Sequence, residues 1–152
     1  MLQLAPTTSR DLGELTEFLR GVDLTLSGLD SPAVRLWIAR DASTGCIVAS
    51  TGFECSDDGS QVLIRSVAVD PSRRGHGTGL ELAGFALDRA AEAGAERAWL
   101  FSRRSGEFWQ RMGFALASTG DLAAVLASTH QVRHFAETGQ LAREVAWSRL
   151  LS

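Results

Sequence analysis

The sequence predicts an α+β domain, a mixed central sheet of six or seven strands with helices on both faces, formed by residues 1–152 as a single unit. Three observations carry this reading. Runs 34–40, 47–54 and 61–69 are rich in apolar and β-branched residues and are separated by short polar turns at 41–45 and 56–60, the pattern of an antiparallel meander. After Val69 a basic, glycine-rich turn opens into an amphipathic stretch running to Gly94, with apolar residues at 80, 83, 87 and 90. Residues 97–101 then read as another strand, which the intervening helix places parallel to 61–69.

The remaining elements fit around that frame. Residues 2–5 read as a short first strand closed by Pro6. Thr8 or Ser9 can cap a helix over 10–20, with Leu12, Leu15, Phe18 and Leu19 on one face. Residues 21–32 are turn-rich. Gly94 is a C-terminal stop for the helix after the glycine turn. A short helix over 106–112 ends at Gly113, a strand follows at 114–117, one or two helices occupy 121–136, and 144–151 returns as the last strand.

Composition narrows the function classes. Apolar residues make up 45% and charged residues 22% of the 152, as in an ordinary globular protein with a sizeable core. The net charge of −3 and the absence of any long Lys/Arg block speak against nucleic acid or an anionic membrane as partner. No apolar run approaches the roughly 18 residues of a membrane span, and no signal-peptide pattern opens the chain, so a cytoplasmic location is expected. Two cysteines make no disulfide framework, Cys46 reads as a small core residue, and no spacing of Cys or His calls for a metal. The apolar last strand leaves room for a homodimer.

The chemistry concentrates in the run from Leu63 to Gly79. A strand ending at Asp70-Pro71 passes through Ser-Arg-Arg-Gly-His-Gly-Thr-Gly into a helix opening near Thr78. Such a junction points several backbone N–H groups at one spot, and the helix dipole favours negative charge there. Glycines at 75, 77 and 79 let the main chain approach a bulky anion, and Arg73 and Arg74 add positive charge. This is a cradle for an anion such as a diphosphate. A Walker loop would need Lys and Ser/Thr after its final glycine, where Leu80-Glu81 stand, and a dinucleotide fingerprint would need a different glycine spacing.

The pattern Arg74-x-x-Gly77-x-Gly79 resembles that of the GNAT superfamily of acyl-CoA-dependent N-acyltransferases, and the element order above is that of the GNAT fold. The resemblance implies acetyl-CoA as co-substrate. The cofactor-binding residues it implies are the loop amides and neighbours Arg74, Gly75, His76, Gly77, Thr78 and Gly79 around the diphosphate, with backbone groups of Val67, Ala68 and Val69 along the pantetheine. The parallel strands are expected to splay beyond the Val69 end. Where many members carry an asparagine and a catalytic tyrosine, this chain has Ser102 and Trp109, and it contains no tyrosine at all. Either the thiolate then leaves without a general acid, as its modest basicity allows, or water, Ser102 or Ser105 would protonate it. Trp109 reads either as a core aromatic or as a wall of the coenzyme site. The segments Leu63-Ile-Arg-Ser-Val-Ala-Val69 and Leu100 to Phe114 further resemble a subgroup that acetylates amino acids and their analogues, of the arsinothricin-resistance type.

Arg65 is the odd residue of a central apolar strand and needs an anionic partner. By the two-residue period it shares a face with Leu63, Val67 and Val69, with Ser66 opposite. Its partner is either a substrate carboxylate or Glu54 on the adjacent strand. Ser66 and Glu54 are the catalytic candidates, Glu54 as a base; the three histidines 76, 130 and 134 are bases or ordinary surface residues. Thr129 and Arg133, one helical turn apart, join Arg65 as substrate-binding candidates, unless they form a solvated helix face. The reading that follows is an N-acetyltransferase acting by direct attack on a small amino-acid-like amine. A protein or peptide N-acetyltransferase, and a non-catalytic acyl-CoA-binding regulatory domain, are the alternatives.

Overall fold

A computed structural model describes residues 2–75 and 77–151. Seven strands form one sheet: β1 (Ala5–Pro6), β2 (Val34–Arg40), β3 (Ile47–Cys55), β4 (Gln61–Val69), β5 (Arg97–Phe101), β6 (Ala115–Ala117) and β7 (Ala146–Leu150), in spatial order β1-β2-β3-β4-β5-β7-β6. Five α-helices accompany them: α1 (Leu12–Gly21), α2 (Thr78–Glu92), α3 (Gly106–Arg111), α4 (Thr119–Val125) and α5 (His130–Thr138). β2, β3 and β4 pair antiparallel, and β4 pairs parallel to β5 across α2, as the periodicity predicts. The fold class is the mixed α+β one expected.

The helices divide between two faces. One face packs α2 and α3 on Phe53, Val62, Ile64, Leu100 and Trp147. The other packs α1 on Val34, Leu36, Ile38 and Ala68, and α4 with α5 on Leu63, Trp99 and Ala146. Each fully buried leucine among them contributes about 2 kcal/mol.

The ends of elements differ from expectation in small ways. The first strand is only two residues, Ala5–Pro6, so it starts later than expected and includes the proline expected to close it. A 3-10 turn at Ser9–Asp11 precedes α1, and the Asp11 carboxylate accepts from Thr8 N at 2.7 Å, so the start of the helix is shifted. Cys46 is exposed beside the β2–β3 turn and is not a core residue, because strand pairing there ends before the chain turns inward at Ile47. Cys55 is half-buried, and burial raises its thiol pKa.

The main correction concerns β4. Its register against β3 runs Gly52↔Arg65 and then Ser50↔Ala68, so Thr51 stands opposite both Ser66 and Val67. That extra residue is a β-bulge, and Ser66 adopts φ +60 to make it. Simple alternation therefore fails beyond Arg65: Leu63, Arg65 and Ala68 belong to the α1/α5 face, whereas Val67 and Val69 pack with Leu82 of α2. The expected sharing of one face by Arg65, Val67 and Val69 is wrong for this reason.

Gly52 lies at the centre of the meander, where a Cβ would stand 2.1 Å from the Arg35 carbonyl oxygen and 2.6 Å from Leu36 Cδ2. Gly52→Ala is expected to destabilise the protein by about 3 kcal/mol in urea unfolding; a loss below about 0.5 kcal/mol would contradict the close β2–β3 approach.

Candidate active site

β4 and β5 are hydrogen-bonded only over Gln61↔Arg97, Val62↔Ala98 and Leu63↔Trp99. The bulge bends β4 away, while β5 stays with β7 as far as Phe101↔Ala146. The strands therefore part just after Leu63, well before the Val69 end anticipated from the sequence. Between them lies a cleft of about 330 Å³. Ile64, Arg65, Ser66 and Val67 form one wall, Leu100, Phe101 and Ser102 the other, with Phe108 and Trp109 of α3 and Gly79 of α2 alongside.

The loop into α2 is built to leave amides open. Asp70 accepts from Ser72 N at 2.9 Å and from its hydroxyl at 2.6 Å, fixing a 3-10 turn at Pro71–Arg73. Gly75 (φ +89) and Gly77 (φ +74) then reverse the chain in conformations that other residues adopt poorly. Gly77 occupies the N-cap and brings no side chain to it. Among the described residues the first intrahelical bond is Glu81 N to Gly77 O, with the amides of Thr78, Gly79 and Leu80 ahead of it. Gly79 differs from its neighbours: its backbone is helical, and an added Cβ would meet only the Phe108 ring, at 3.6 Å. Nothing in the fold requires a glycine there, yet it borders the cleft. Arg73 is tied to Asp41 in the β2–β3 turn, and Arg74 has no ion-pair partner among the described residues. His76 lies outside the described residues.

Arg65 and Glu54 form an ion pair at 3.1 Å with side chains 1% exposed. Arg65 Nη2 also donates to Thr25 O at 3.3 Å, and its Nε to Ser66 Oγ at 3.4 Å. Burial lowers the Arg65 pKa from its ordinary value, and the Glu54 charge opposes that shift. Glu54 in turn accepts from the backbone N–H groups of His130 and Gln131 at the start of α5. Glu54, one of the two partners open to Arg65, is thus paired with it. Glu54 itself borders neither cleft.

The other candidates separate clearly. Thr129 is 1% exposed and caps α5, its hydroxyl donating to Leu126 O at 2.7 Å and accepting from Val132 N at 3.3 Å. Arg133 and His134 are exposed and outside both clefts, and the His130 ring lies under Gly28. Ser102 Oγ accepts from Ser105 N at 3.0 Å, and both serines border the cleft. Trp109 is 7% exposed and meets Phe108 and Phe114 edge-on, at 4.9 and 5.4 Å between ring centroids, so it is core and cleft wall together. Among the described residues no three His, Cys, Asp or Glu side chains stand together as metal ligands.

Sequence reasoning missed a second, outer cleft of about 490 Å³ that shares Leu24, Phe101, Ser102, Ser105 and Gln131 with the inner one. Its rim carries Arg74, Arg103 and Arg104, and Arg103 pairs with Glu144 at 3.5 Å. The signal was present in the two arginines just past the C-terminal end of β5, where ligands of open sheets gather. Gln131 was passed over between Thr129 and Arg133.

Comparison with known proteins bears on this geometry. The model of the acetyltransferase (GNAT) family matches residues 8–114. A GNAT-family acetyltransferase from Staphylococcus aureus Mu50 superimposes with TM-score 0.75 at 16% identity, over 100% of both chains. N-acetylglutamate synthase from Neisseria gonorrhoeae, complexed with coenzyme A and N-acetyl-glutamate, superimposes with TM-score 0.71 at 17% identity, over 100% of this chain and 36% of that one. The chain thus spans about a third of that enzyme. An aminoglycoside 6'-N-acetyltransferase complexed with coenzyme A gives TM-score 0.68 at 11% identity, over 99% and 98% of the two chains. No curated protein matches the sequence.

Arg65→Met and Glu54→Gln are each expected to lower unfolding stability by about 3–5 kcal/mol, since each leaves a buried partner uncompensated. The double variant should lose clearly less than the sum in a denaturant-based cycle. Additive losses would show that the two side chains do not act as a pair.

Proposed function

Because the chain belongs to the acetyltransferase (GNAT) family, we propose that it moves an acetyl group from acetyl-CoA to the amino group of a small amino-acid-like acceptor, by direct attack in a ternary complex. The observation that carries this is the parting of β4 and β5 into a cleft with the uncapped start of α2 beside it. Amides of Thr78, Gly79 and Leu80, with Gly75, Gly77, His76 and Arg74 around them, would hold the diphosphate. The edge of β4 over Val67, Ala68 and Val69, released from β5, would run along the pantetheine.

Attack forms the carbon–nitrogen bond and breaks the carbon–sulfur bond. The amine's proton passes to water. An amide at Val67 or Ala68, beside the bulge, would donate to the developing oxyanion. In the absence of a tyrosine, the modestly basic thiolate either leaves unprotonated or takes a proton from water, directly or relayed through Ser102 or Ser105. We assign Glu54 to holding Arg65 and α5 rather than to proton transfer, because its oxygens are already occupied away from the cleft. Ser66 keeps its place through the bulge its φ makes possible. For the acceptor, the arginine rim of the outer cleft suits a carboxylate better than Arg65, Thr129 or Arg133, which are committed or remote. The N-acetyl-glutamate bound to the Neisseria enzyme is an acceptor product of that kind.

The lack of a tyrosine and of any carboxylate or histidine on the described walls of the inner cleft also fits a non-catalytic acyl-CoA-binding domain. Thiol release with a panel of amino acids separates the two readings, since turnover on any free amino acid excludes the second. A further consequence concerns pH: kcat/KM for the acceptor should rise toward the amine's own pKa with no ionisation between pH ~6 and ~8. A break in that window would place a histidine in the proton path.

Gly79→Leu puts a side chain into the cleft wall at a position where a Cβ has room. It should raise KM for acetyl-CoA at least about tenfold with no fall in Tm. An unchanged KM would remove Gly79 from the coenzyme site.

A further inference from the structure

Among the described residues two buried side-chain atoms have no hydrogen-bond partner, Ser27 Oγ and Gln131 Oε1. Ser27 borders neither cleft, whereas Gln131 borders both. The Gln131 carboxamide is otherwise anchored. Its Nε2 donates to Thr25 Oγ1 at 3.1 Å, and its backbone N–H donates to Glu54 Oε1 at 3.4 Å. Thr25 is itself held, its carbonyl accepting from Arg65 Nη2. With its N–H side committed to Thr25, the carboxamide keeps a covered, unpartnered acceptor oxygen on a residue that borders the junction of the clefts. Burying such an oxygen without a donor is unfavourable, and a ligand that brings an N–H relieves it.

We propose that Gln131 is an acceptor-binding residue, whose side-chain oxygen takes a hydrogen bond from an N–H of the attacking amine. The inference rests on the transferase reading above. An acceptor-only oxygen repels a carboxylate and welcomes an amine, so it sets the direction in which an amino acid lies. Its nitrogen points to the junction with the inner cleft, and its carboxylate toward the rim of Arg74 and Arg104. The buried Glu54–Arg65 pair then acts as a positioning device: it fixes Gln131 through the first turn of α5 and fixes Thr25 through its carbonyl.

The test uses the full chain with acetyl-CoA and the amino acid that it turns over fastest. Gln131→Met keeps the length of the side chain and removes its oxygen. It should raise acceptor KM or lower acceptor kcat/KM by about tenfold or more, with KM for acetyl-CoA within about twofold of wild type. Thr25→Val, which frees the carboxamide without touching the amine, should lower acceptor kcat/KM in the same selective way but less. Wild-type acceptor kinetics in Gln131→Met would overturn the proposal, as would equal losses toward both substrates. Should Gln131→Met fail to fold, Thr25→Val decides alone, and wild-type acceptor kinetics there overturns the proposal. A wild-type protein that binds CoA yet acetylates no amine would instead sink the transferase reading, and this inference with it.

Discussion

One additional residue in β4 governs most of what this molecule presents to a ligand. By placing Ser66 and Val67 together opposite Thr51, the bulge sends Val67 and Val69 to the α2 face and leaves Arg65 on the α5 face. It also turns the strand away from β5 after only three residue pairs. A regular strand would have continued pairing, and the site between them would be closed by hydrogen bonds. The positive φ of Ser66 is held by its surroundings: its carbonyl accepts from Ser50 Oγ at 2.6 Å, and its hydroxyl accepts from Arg65 Nε. Strain at this point and function are linked because the same irregularity opens the cleft.

The buried ion pair is the second consequence. Arg65 could not sit in a central strand without a counter-charge, and Glu54 supplies it from the neighbouring strand. The carboxylate also meets the amides at the start of α5, where the helix dipole favours a negative group. Strands β3 and β4, the loop at Thr25 and helix α5 are thereby joined through one polar cluster behind the cleft. On the opposite side, α3 props the cleft open with Phe108 and Trp109, which are packed against Phe114.

Much of this was readable in advance. The meander, the parallel return of β5 and the glycine turn into α2 follow from period-two strands, a period-3.6 helix and the placement of glycines 75, 77 and 94. Trp109 is a core aromatic that also borders the inner cleft. The bulge was not readable, because Ser66 is an ordinary strand residue by composition and its φ is imposed by neighbours from β3. For the same reason the alternation argument misassigned Val67 and Val69. Thr129 looked available as a polar helix residue, but its hydroxyl is used in capping, a three-residue contact that a pattern of one helical face does not reveal. Gln131, Arg103 and Arg104 join the clefts only through tertiary packing of α5 and the β5–α3 loop.

Amide hydrogen exchange resolved by residue, with and without saturating CoA, addresses the central claim most directly. The account predicts slowed exchange confined to those amides of residues 66–69 that face away from β3 and to 78–80 at the start of α2. Protection absent from both stretches, or appearing only at the turn of residues 56–60, would show that the opening between β4 and β5 is not where the coenzyme binds.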